Sequence, residues 1–410
     1  MITLAWRNIW RKRWRSLFTA GAVALVVLLT VIYFGFVGAA RNGIYSNLTA
    51  SAGHLQVRVE GYRDLKDFSD LLVRDAGALE EKVAGVLARR DDKAELVAAL
   101  EVPGLLEGKG RSRGVMLVAL DQPPELRQKF LKDNQVEGDF PAADDLESIV
   151  LGRKLARAIK VGIGDTVFMY APGTEGYGAA AYLVSGFLDA PGTSQLAYVS
   201  LAAAQELAAP DSLSRLEIHL PDFKRLADDE ALPAIAQDLQ AVIGEGYSAE
   251  SWRQVNPSIA ALLDLQASAS VINTLIFFVL AGLLVMNTIY LSIIERIREF
   301  GIIMALGAAR LKMIAMVLSE SILLCFSGAA AGAAGGLAVV AYMSRGFSFP
   351  PALAELYAEA GLPTVLFASV SLQQFLITIA FVLATGILAA LLPAFTAARL
   401  EPVEAMRFTA

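Results

Sequence analysis

The chain has 410 residues, two to three times the length of a usual domain, so one compact core is not expected. Hydrophobic residues make up 55% and charged residues 19%, with a mean hydropathy of +0.52; these averages exclude a disordered or fibrous chain, disfavour an ordinary soluble enzyme and predict a membrane protein. A single cysteine, Cys325, two histidines and a net charge of −6 exclude a disulfide framework and argue against a metal site or a nucleic-acid partner.

The first 40 residues divide into a basic stretch and an apolar run. Trp6, Trp10 and Trp14 recur at helical spacing within 1–16 with basic residues between them, which predicts a cytoplasmic amphipathic helix, either a plain anchor or a partner contact. Residues 17–40 carry no charge and exceed the ~20 apolar residues that a spanning helix needs. The run ends in small residues as secretory signals do, but it is longer than their apolar core of ~7–15 residues. It is therefore predicted to be the first span.

Residues 41–268 have the composition of a soluble domain, with 23 Lys and Arg, 34 Asp and Glu, and a net charge of −11. Apolar alternation predicts strands over 54–59, 115–120, 165–170, 182–187, 196–199 and 216–220, and helical periodicity predicts helices over 78–90, 148–160, 201–208 and 233–243. The mixture predicts an α+β domain, in one body or in two subdomains separated at Gly- and Pro-rich breaks near 103–114 and 171–178. His54 and His219 belong to no nucleophile or metal motif and are predicted to be structural.

Three further charge-poor runs predict spans over 269–294, 313–344 and 372–398, joined by 295–312 and 345–371 and followed by a tail, 399–410. Lys and Arg cluster ahead of the first span, between the second and third, and after the fourth, which assigns these segments to the cytoplasm. Both termini are then cytoplasmic, and 41–268 and 345–371 lie on the opposite side of the membrane.

The third span carries small residues at every fourth position, namely Gly328, Gly332 and Gly336. Such repeats let helices approach closely in lipid. We expect this stripe to pack against a neighbouring helix, either within the chain or across a dimer.

The segment after the second span opens with charges in the order Glu-Arg-x-Arg-Glu from Glu295 and continues through an apolar turn to a Gly-Ala pair. This pattern predicts a short amphipathic helix along the membrane that docks into a groove on another protein. An ordinary interfacial loop would not need Phe300 and Met304 between two charge clusters. The chain contains no Gly-x-x-x-x-Gly-Lys-[Ser/Thr] motif, so ATP hydrolysis by a P-loop is not expected of it.

Several motifs are spread over the whole chain. They are Ala-Trp-Arg-Asn-Ile-Trp-Arg at 5–11, Ala-Gly-His-Leu-Gln-Val at 52–57, Leu-Gly-Arg-Lys-Leu-Ala at 151–156, Val-Gly-Ile-Gly-Asp-Thr-Val at 161–167, Glu-Arg-x-Arg-Glu-Phe-Gly at 295–301, Ala-Leu-Gly-Ala at 305–308, Glu320, and an ending over 393–405. With these motifs the chain resembles ABC-transporter permeases of the MacB/FtsX type, and the 52–57 element resembles the lipoprotein-releasing LolC/LolE branch.

The resemblance implies a four-span helical bundle in the inner membrane with a MacB-like α+β core domain on the periplasmic side, inserted between spans one and two. It implies a homodimer or heterodimer of permease subunits on a dimer of separate ABC ATPases, which bind the ATP and Mg. No cofactor, metal or catalytic residue is expected in this chain. Membrane lipids and a periplasmic chaperone or adaptor are further implied partners.

The resemblance also implies two sets of functional residues. The ATPase-coupling residues are Glu295, Arg296, Arg298, Glu299, Phe300, Gly301, Met304, Ala305, Leu306, Gly307 and Ala308. In the lipoprotein branch, the acylated substrate enters laterally between the first two spans of the two subunits, where this chain offers a substrate cavity of Tyr33, Phe34, Phe36, Phe277, Phe278 and Met286.

The implied function is mechanical transmission, in which closure of the ATPase dimer moves the 295–308 helix, the spans and the periplasmic domains, and releases lipoproteins from the inner membrane. Two alternatives stay open. One is MacB-like export of another hydrophobic or peptide substrate. The other is an FtsX-like transducer that activates a periplasmic hydrolase, which the size of the outside domain disfavours.

Overall fold

The computed structural model describes residues 13–90, 93–133, 136–174, 176–189, 193–295, 297–298, 302, 305–306, 309–359 and 365–399. The α-helices in these ranges are α1 (Arg13–Ala52), α2 (Ala76–Arg89), α3 (Pro124–Asp133), α4 (Arg153–Ile159), α5 (Leu201–Ala208), α6 (Leu232–Ile243), α7 (Trp252–Val255), α8 (Pro257–Ile294), α9 (Arg310–Met343), α10 (Pro351–Glu359) and α11 (Leu372–Arg399).

Four of the described helices, α1, α8, α9 and α11, are long and apolar enough to cross a membrane. Helix α1 continues for twelve residues beyond the predicted span, and α8 begins twelve residues before its predicted span. The additional turns include charged residues, Arg41 in α1 and Asp264 in α8, and a helix can continue past its charge-free core because its backbone bonds do not depend on hydropathy. Pro257 begins α8, where the missing N–H costs no helical hydrogen bond.

The four membrane helices form a closed circuit of contacts. Helix α1 packs against α9, α9 against α11, α11 against α8, and α8 against α1. The contacts that define this order are Gly332 on Ala24, Ser321 Oγ to the Gly386 carbonyl at 3.2 Å, Phe278 stacked on Phe381, and Tyr33 edge-on to Phe277.

The strands are β1 (Leu55–Val59), β2 (Val73–Arg74), β3 (Glu95–Gly108), β4 (Arg111–Asp121), β5 (Glu137–Gly138), β6 (Ser148–Gly152), β7 (Thr166–Gly173), β8 (Gly176–Leu188), β9 (Leu196–Val199), β10 (Ser212–Leu213), β11 (Arg215–His219), β12 (Tyr247–Ser251), β13 (Phe347–Ser348) and β14 (Val365–Leu366). All but the short pairs β2–β10 and β13–β14 belong to one ten-stranded sheet.

One part of this sheet is a four-stranded antiparallel layer in the order β12-β1-β11-β3. Helix α2 connects β1 to β3, α6 connects β11 to β12, and the two helices contact each other. Their buried faces are apolar, with Leu79 and Val83 on α2 and Ile235 and Leu239 on α6. The order and the two crossovers are those of the split β-α-β arrangement.

The other part of the sheet closes on itself. Strand β3 pairs with β4, β4 with β9, β9 with β6, β6 with β8, β8 with β7, and β7 returns to β3. These six strands enclose a core that includes Leu106, Leu117, Leu151, Met169 and Val184, all without solvent exposure. Closure leaves the ring no open edge for pairing with other chains.

Two local predictions for this domain are wrong. The breaks near 103–114 and 171–178 are not boundaries, because the first is the β3–β4 hairpin and the second is the end of β7 and start of β8. The helix predicted over 148–160 begins as strand β6 and becomes α4 only at Arg153. Its first five residues are a short apolar run, which fits a buried strand as well as a helix.

Strand β11 places an ionic cluster inside the domain. Arg215, Glu217 and His219 alternate along the strand, so their side chains share one face of the sheet. The Glu217 carboxylate accepts from Arg215 Nε at 2.7 Å and lies 3.2 Å from His219 Nε2, and Arg215 also pairs with Glu101. All three residues on β11 are buried. Each charge is therefore compensated by a neighbour rather than by water.

His54 occupies a second buried polar position. Its Nε2 lies 3.0 Å from the Phe223 carbonyl, and its Nδ1 accepts from the Leu220 N–H at 3.0 Å, so the neutral ring satisfies both neighbours. Burial lowers the pKa of His54 from 6.5 to about 4.

We expect this histidine to make the α+β domain less stable in mild acid. The unfolded chain binds a proton near pH 6.5 and the folded domain only near pH 4, so His54 contributes its full stability above pH 6.5 and loses it as the pH falls. The loss between pH 7 and pH 5 should be about 1–2 kcal/mol. Hydrogen exchange of the β1 and β11 amides measures it, and His54→Asn should flatten this pH dependence. An equal slope in that variant would contradict the assignment.

Candidate functional site

The segment between α8 and α9 is partly described. The Leu306 N–H donates to the Ile302 carbonyl at 3.0 Å, and this bond defines a helical turn. The side chains of both residues are exposed, Leu306 at 83%. Glu295, Arg298 and Ala305 of the same segment are also exposed. The other residues predicted for coupling lie outside the described part of the chain, and they are Arg296, Glu299, Phe300, Gly301, Met304, Gly307 and Ala308. An exposed apolar turn flanked by charges can enter an apolar groove on another protein.

The first two membrane helices meet at an aromatic and polar seam. The Tyr33 and Phe277 rings lie 6.0 Å apart in an edge-on arrangement, and the Tyr33 hydroxyl accepts from Asn273 Nδ2 at 2.9 Å and lies 3.5 Å from Ser270 Oγ. The sequence pattern indicates the two aromatic residues but not Ser270 and Asn273. The available signal was the presence of polar side chains near one end of a charge-free span, where interhelical hydrogen bonds are expected.

Among the remaining residues of the predicted cavity, Phe34 has its ring 6.0 Å from that of Tyr33. Phe34 and Met286 are half-buried, as is Phe36. Phe278 differs from the prediction, because it is 3% exposed and its ring stacks on Phe381 at 5.3 Å. The phenylalanines at 277 and 278 are adjacent, so their side chains point about 100° apart around the helix. Phe277 therefore faces α1, and Phe278 faces α11.

The glycine stripe of α9 lies directly against α1. A Cβ at Gly332 would come within 2.2 Å of the Ala24 carbonyl oxygen, and one at Gly328 within 2.5 Å of the Ala20 oxygen. A Cβ at Gly336 would lie 2.8 Å from Val31 Cβ. The neighbour that these residues approach is therefore a helix of the same chain.

The described residues contain no group of three or more His, Cys, Asp or Glu side chains placed to hold a metal ion. The ionisable cluster on β11 is occupied by its own ion pairs.

Four helices that can span a membrane, with an α+β domain between the first two in the chain, define a multi-pass membrane protein. The family model described as "FtsX-like permease C-terminal" matches residues 271–402, and the model described as "MacB-like periplasmic core domain" matches residues 16–242, more than half of the chain. The chain therefore belongs to the family of ABC-transporter permeases that join a MacB-like periplasmic core domain to an FtsX-like membrane domain. The predicted family and fold class are confirmed.

Similar proteins differ in how much of their own length the chain matches. The lipoprotein-releasing system transmembrane protein LolC of Xylella fastidiosa (strain 9a5c) is 20% identical over 403 residues, which are 94% of this chain and 92% of that protein. The macrolide export ATP-binding/permease protein MacB of Hyphomonas neptunium is 27% identical over 66% of this chain but only 40% of its own length. The crystal structure of the periplasmic region of MacB from Actinobacillus actinomycetemcomitans is 12% identical, covers 53% of this chain and 97% of that chain, and has a TM-score of 0.34.

Proposed function

We propose that the chain is the membrane subunit through which a separate ABC ATPase moves a periplasmic domain. The observation that carries this proposal is the exposed apolar turn at Ile302 and Leu306, in the segment that connects α8 to α9 and also carries the exposed Glu295 and Arg298. ATP and Mg are held by the ATPase in this proposal, and the permease contributes no catalytic group. Movement of the turn displaces α8 and α9, the two helices that it connects.

The proposed location is the inner membrane, with both termini and the 295–308 segment in the cytoplasm and 41–268 in the periplasm. The distribution of Lys and Arg around the spans supports this orientation. A pair of permease subunits on a pair of ATPases is the proposed assembly, and a periplasmic chaperone or adaptor is the proposed receiver of the substrate.

The proposed substrate class is acylated lipoprotein. Support comes from the match to LolC, which spans nearly the full length of both proteins, whereas the matches to MacB cover 21% to 40% of those longer proteins. The MacB relatives favour a second candidate, export of another hydrophobic or peptide substrate, because their local identity reaches 34%.

Native co-purification tests the proposal. The full chain should co-purify with an ABC ATPase, and Glu295→Lys with Glu299→Lys should lower ATPase recovery by roughly tenfold, since reversing charges at a docking surface introduces like-charge contacts. The matched control is Glu81→Lys, an exposed charge reversal on α2. Unchanged ATPase recovery in the double variant contradicts the docking role. Mass spectrometry of the same complex should find acylated lipoprotein peptides; a different apolar cargo there replaces the lipoprotein assignment.

A further inference from the structure

Strand β12 has one edge that no other described strand covers. The ten-stranded sheet runs from β12 at one end to β5 at the other, and β12 pairs with β1 alone among the described strands. It is the longer of the two end strands, because β12 has five residues and β5 has two. Free N–H and C=O groups along such an edge can bind an extended segment of another chain. The groups on the outer edge of β12 therefore decide whether the sheet can grow.

The backbone groups of β12 point alternately toward β1 and toward the outer edge. The Trp252 N–H donates to the His54 carbonyl at 3.1 Å, and the Glu60 N–H donates to the Gly246 carbonyl at 2.9 Å. Because bonded and non-bonded pairs alternate along an antiparallel ladder, the even-numbered residues of β12 bond to β1 and the odd-numbered residues face outward. The outward residues are Tyr247, Ala249 and Ser251.

The side chain of Gln240 occupies this outer edge. Gln240 lies on α6; its Nε2 donates to the Tyr247 carbonyl at 2.9 Å, and its Oε1 accepts from the Ala249 N–H at 2.9 Å. A residue of a parallel neighbouring strand would bond to the same two groups. The next outward N–H, that of Ser251, donates to Gln254 Oε1 at 2.9 Å. Side-chain amides thus take the place of a neighbouring strand at three outward groups.

The carboxamide of Gln240 is separate from the packing that holds α6. The buried face of this helix consists of Leu232, Ile235, Leu239 and Ile243, whereas the Gln240 side chain is exposed. Glutamine and alanine are both good helix formers. Replacing Gln240 with alanine should therefore open the outer edge of β12 and leave α6 and the core in place.

We infer that Gln240 is an edge guard, meaning a side chain that closes the outer edge of β12 to other chains. The strand that an open edge would accept is β12 of a second copy. Copies of the chain in one membrane share one orientation, so their α+β domains lie on the same side. A two-fold axis can then bring two β12 edges together as an antiparallel pair, in which each edge supplies the groups that the other needs. This inference does not rest on the proposed function.

Crosslinking between copies in membranes that contain the full chain tests the guard. Cys325 is the only cysteine, so Ser248→Cys in a Cys325→Ala background places the only thiol on β12. A bifunctional thiol reagent that spans about 8 Å reaches both the opposite and the diagonal positions of an antiparallel pair. Adding Gln240→Ala should raise the yield of covalent dimer by at least about fivefold, because an open edge is a template for pairing. The matched control is Gln237→Ala, an exposed glutamine about one turn earlier on α6.

Hydrogen exchange of the same variants shows whether the edge has opened. In Gln240→Ala the Ala249 amide should exchange roughly three- to tenfold faster, the range expected for the loss of one hydrogen bond. The Glu250 amide, which faces β1, should not change, and Gln237→Ala should change neither amide. A faster Ala249 amide without additional crosslinking overturns the inference, because the open edge would then take no second copy. Equal crosslinking in the two glutamine variants, or an unchanged Ala249 amide in Gln240→Ala, also overturns it.

Discussion

Replacing Glu217 with leucine should destabilise the α+β domain by about 3–5 kcal/mol, because Arg215 would lose its buried carboxylate partner while remaining buried. Burial acts to raise the pKa of Glu217, but Arg215 and His219 outweigh it and hold that pKa below its ordinary value. The folded carboxyl therefore binds its proton less readily than the unfolded one. Its contribution to stability is complete above about pH 5, near and above the ordinary glutamate pKa, and is lost as the pH falls further.

Urea-induced unfolding with hydrogen exchange of the β11 amides measures this effect. The double variant Arg215→Met/Glu217→Leu should recover most of the loss, because it leaves no uncompensated charge in the interior, and Glu101, which also loses Arg215, is 35% exposed to water. The matched control is Glu137→Gln, which breaks a pair between Arg153 and a carboxylate that is 58% exposed, and should change stability by less than about 1 kcal/mol. A Glu217→Leu effect no larger than the control would contradict the buried-cluster account.

Replacing Gly332 with alanine should destabilise the membrane bundle by about 2–3 kcal/mol, the usual range for overpacking. The added Cβ would lie 2.2 Å from the Ala24 carbonyl oxygen and 2.9 Å from the Ala24 Cα. These are backbone atoms and cannot rotate away as a side chain can. The variant can therefore form only if α1 and α9 move apart along this contact.

The adjacent Gly335 provides the control for this prediction. Its nearest neighbour is Leu28 Cδ1 at 3.0 Å, the far end of a flexible side chain, so Gly335→Ala should cost less than about 1 kcal/mol. Gly21→Ala meets nothing within 4 Å and should be neutral or slightly stabilising, since alanine favours helix by about 1 kcal/mol. Thermal unfolding of the full chain in detergent compares the three variants. Equal losses at positions 332 and 335 would show that backbone approach is not the cause.

The spans and many strands could be predicted because their signals are local. A charge-free run of bilayer length needs no knowledge of its neighbours, and the short apolar-rich runs over 196–199 and 216–220 form the buried strands β9 and β11. Strand β3 is not predicted by its local pattern, because Pro103 and Gly104 indicate a break. In the structure, one edge of β3 pairs with β4, and the other edge pairs with β11 at 95–99 and with β7 at 105–107. Pro103 lies between these two pairings, where no strand on the second edge needs the N–H that proline lacks.

Gly104 has an equally non-local reason. A Cβ there would lie 2.4 Å from the Tyr170 carbonyl oxygen, so glycine lets β7 cross at this point. The parallel pairings β4–β9 and β6–β8 join segments distant in the chain, and no local pattern encodes them. The candidate sites have the same limit, since a span pattern does not say which of Phe277 and Phe278 faces α1. The coupling and substrate roles of the predicted residues remain predictions.

The shared use of β3 has a consequence for how the α+β domain opens. The first half of β3 is an outer strand of the four-stranded layer, and the second half of β3 is one of the six strands of the ring. Removing β3 from either partner strips the other of hydrogen bonds, so the layer and the ring form one cooperative unit with a common free energy of opening. A force applied to β1 or β12 then reaches the ring through the single strand β3. The ring therefore moves together with the layer instead of unfolding before it.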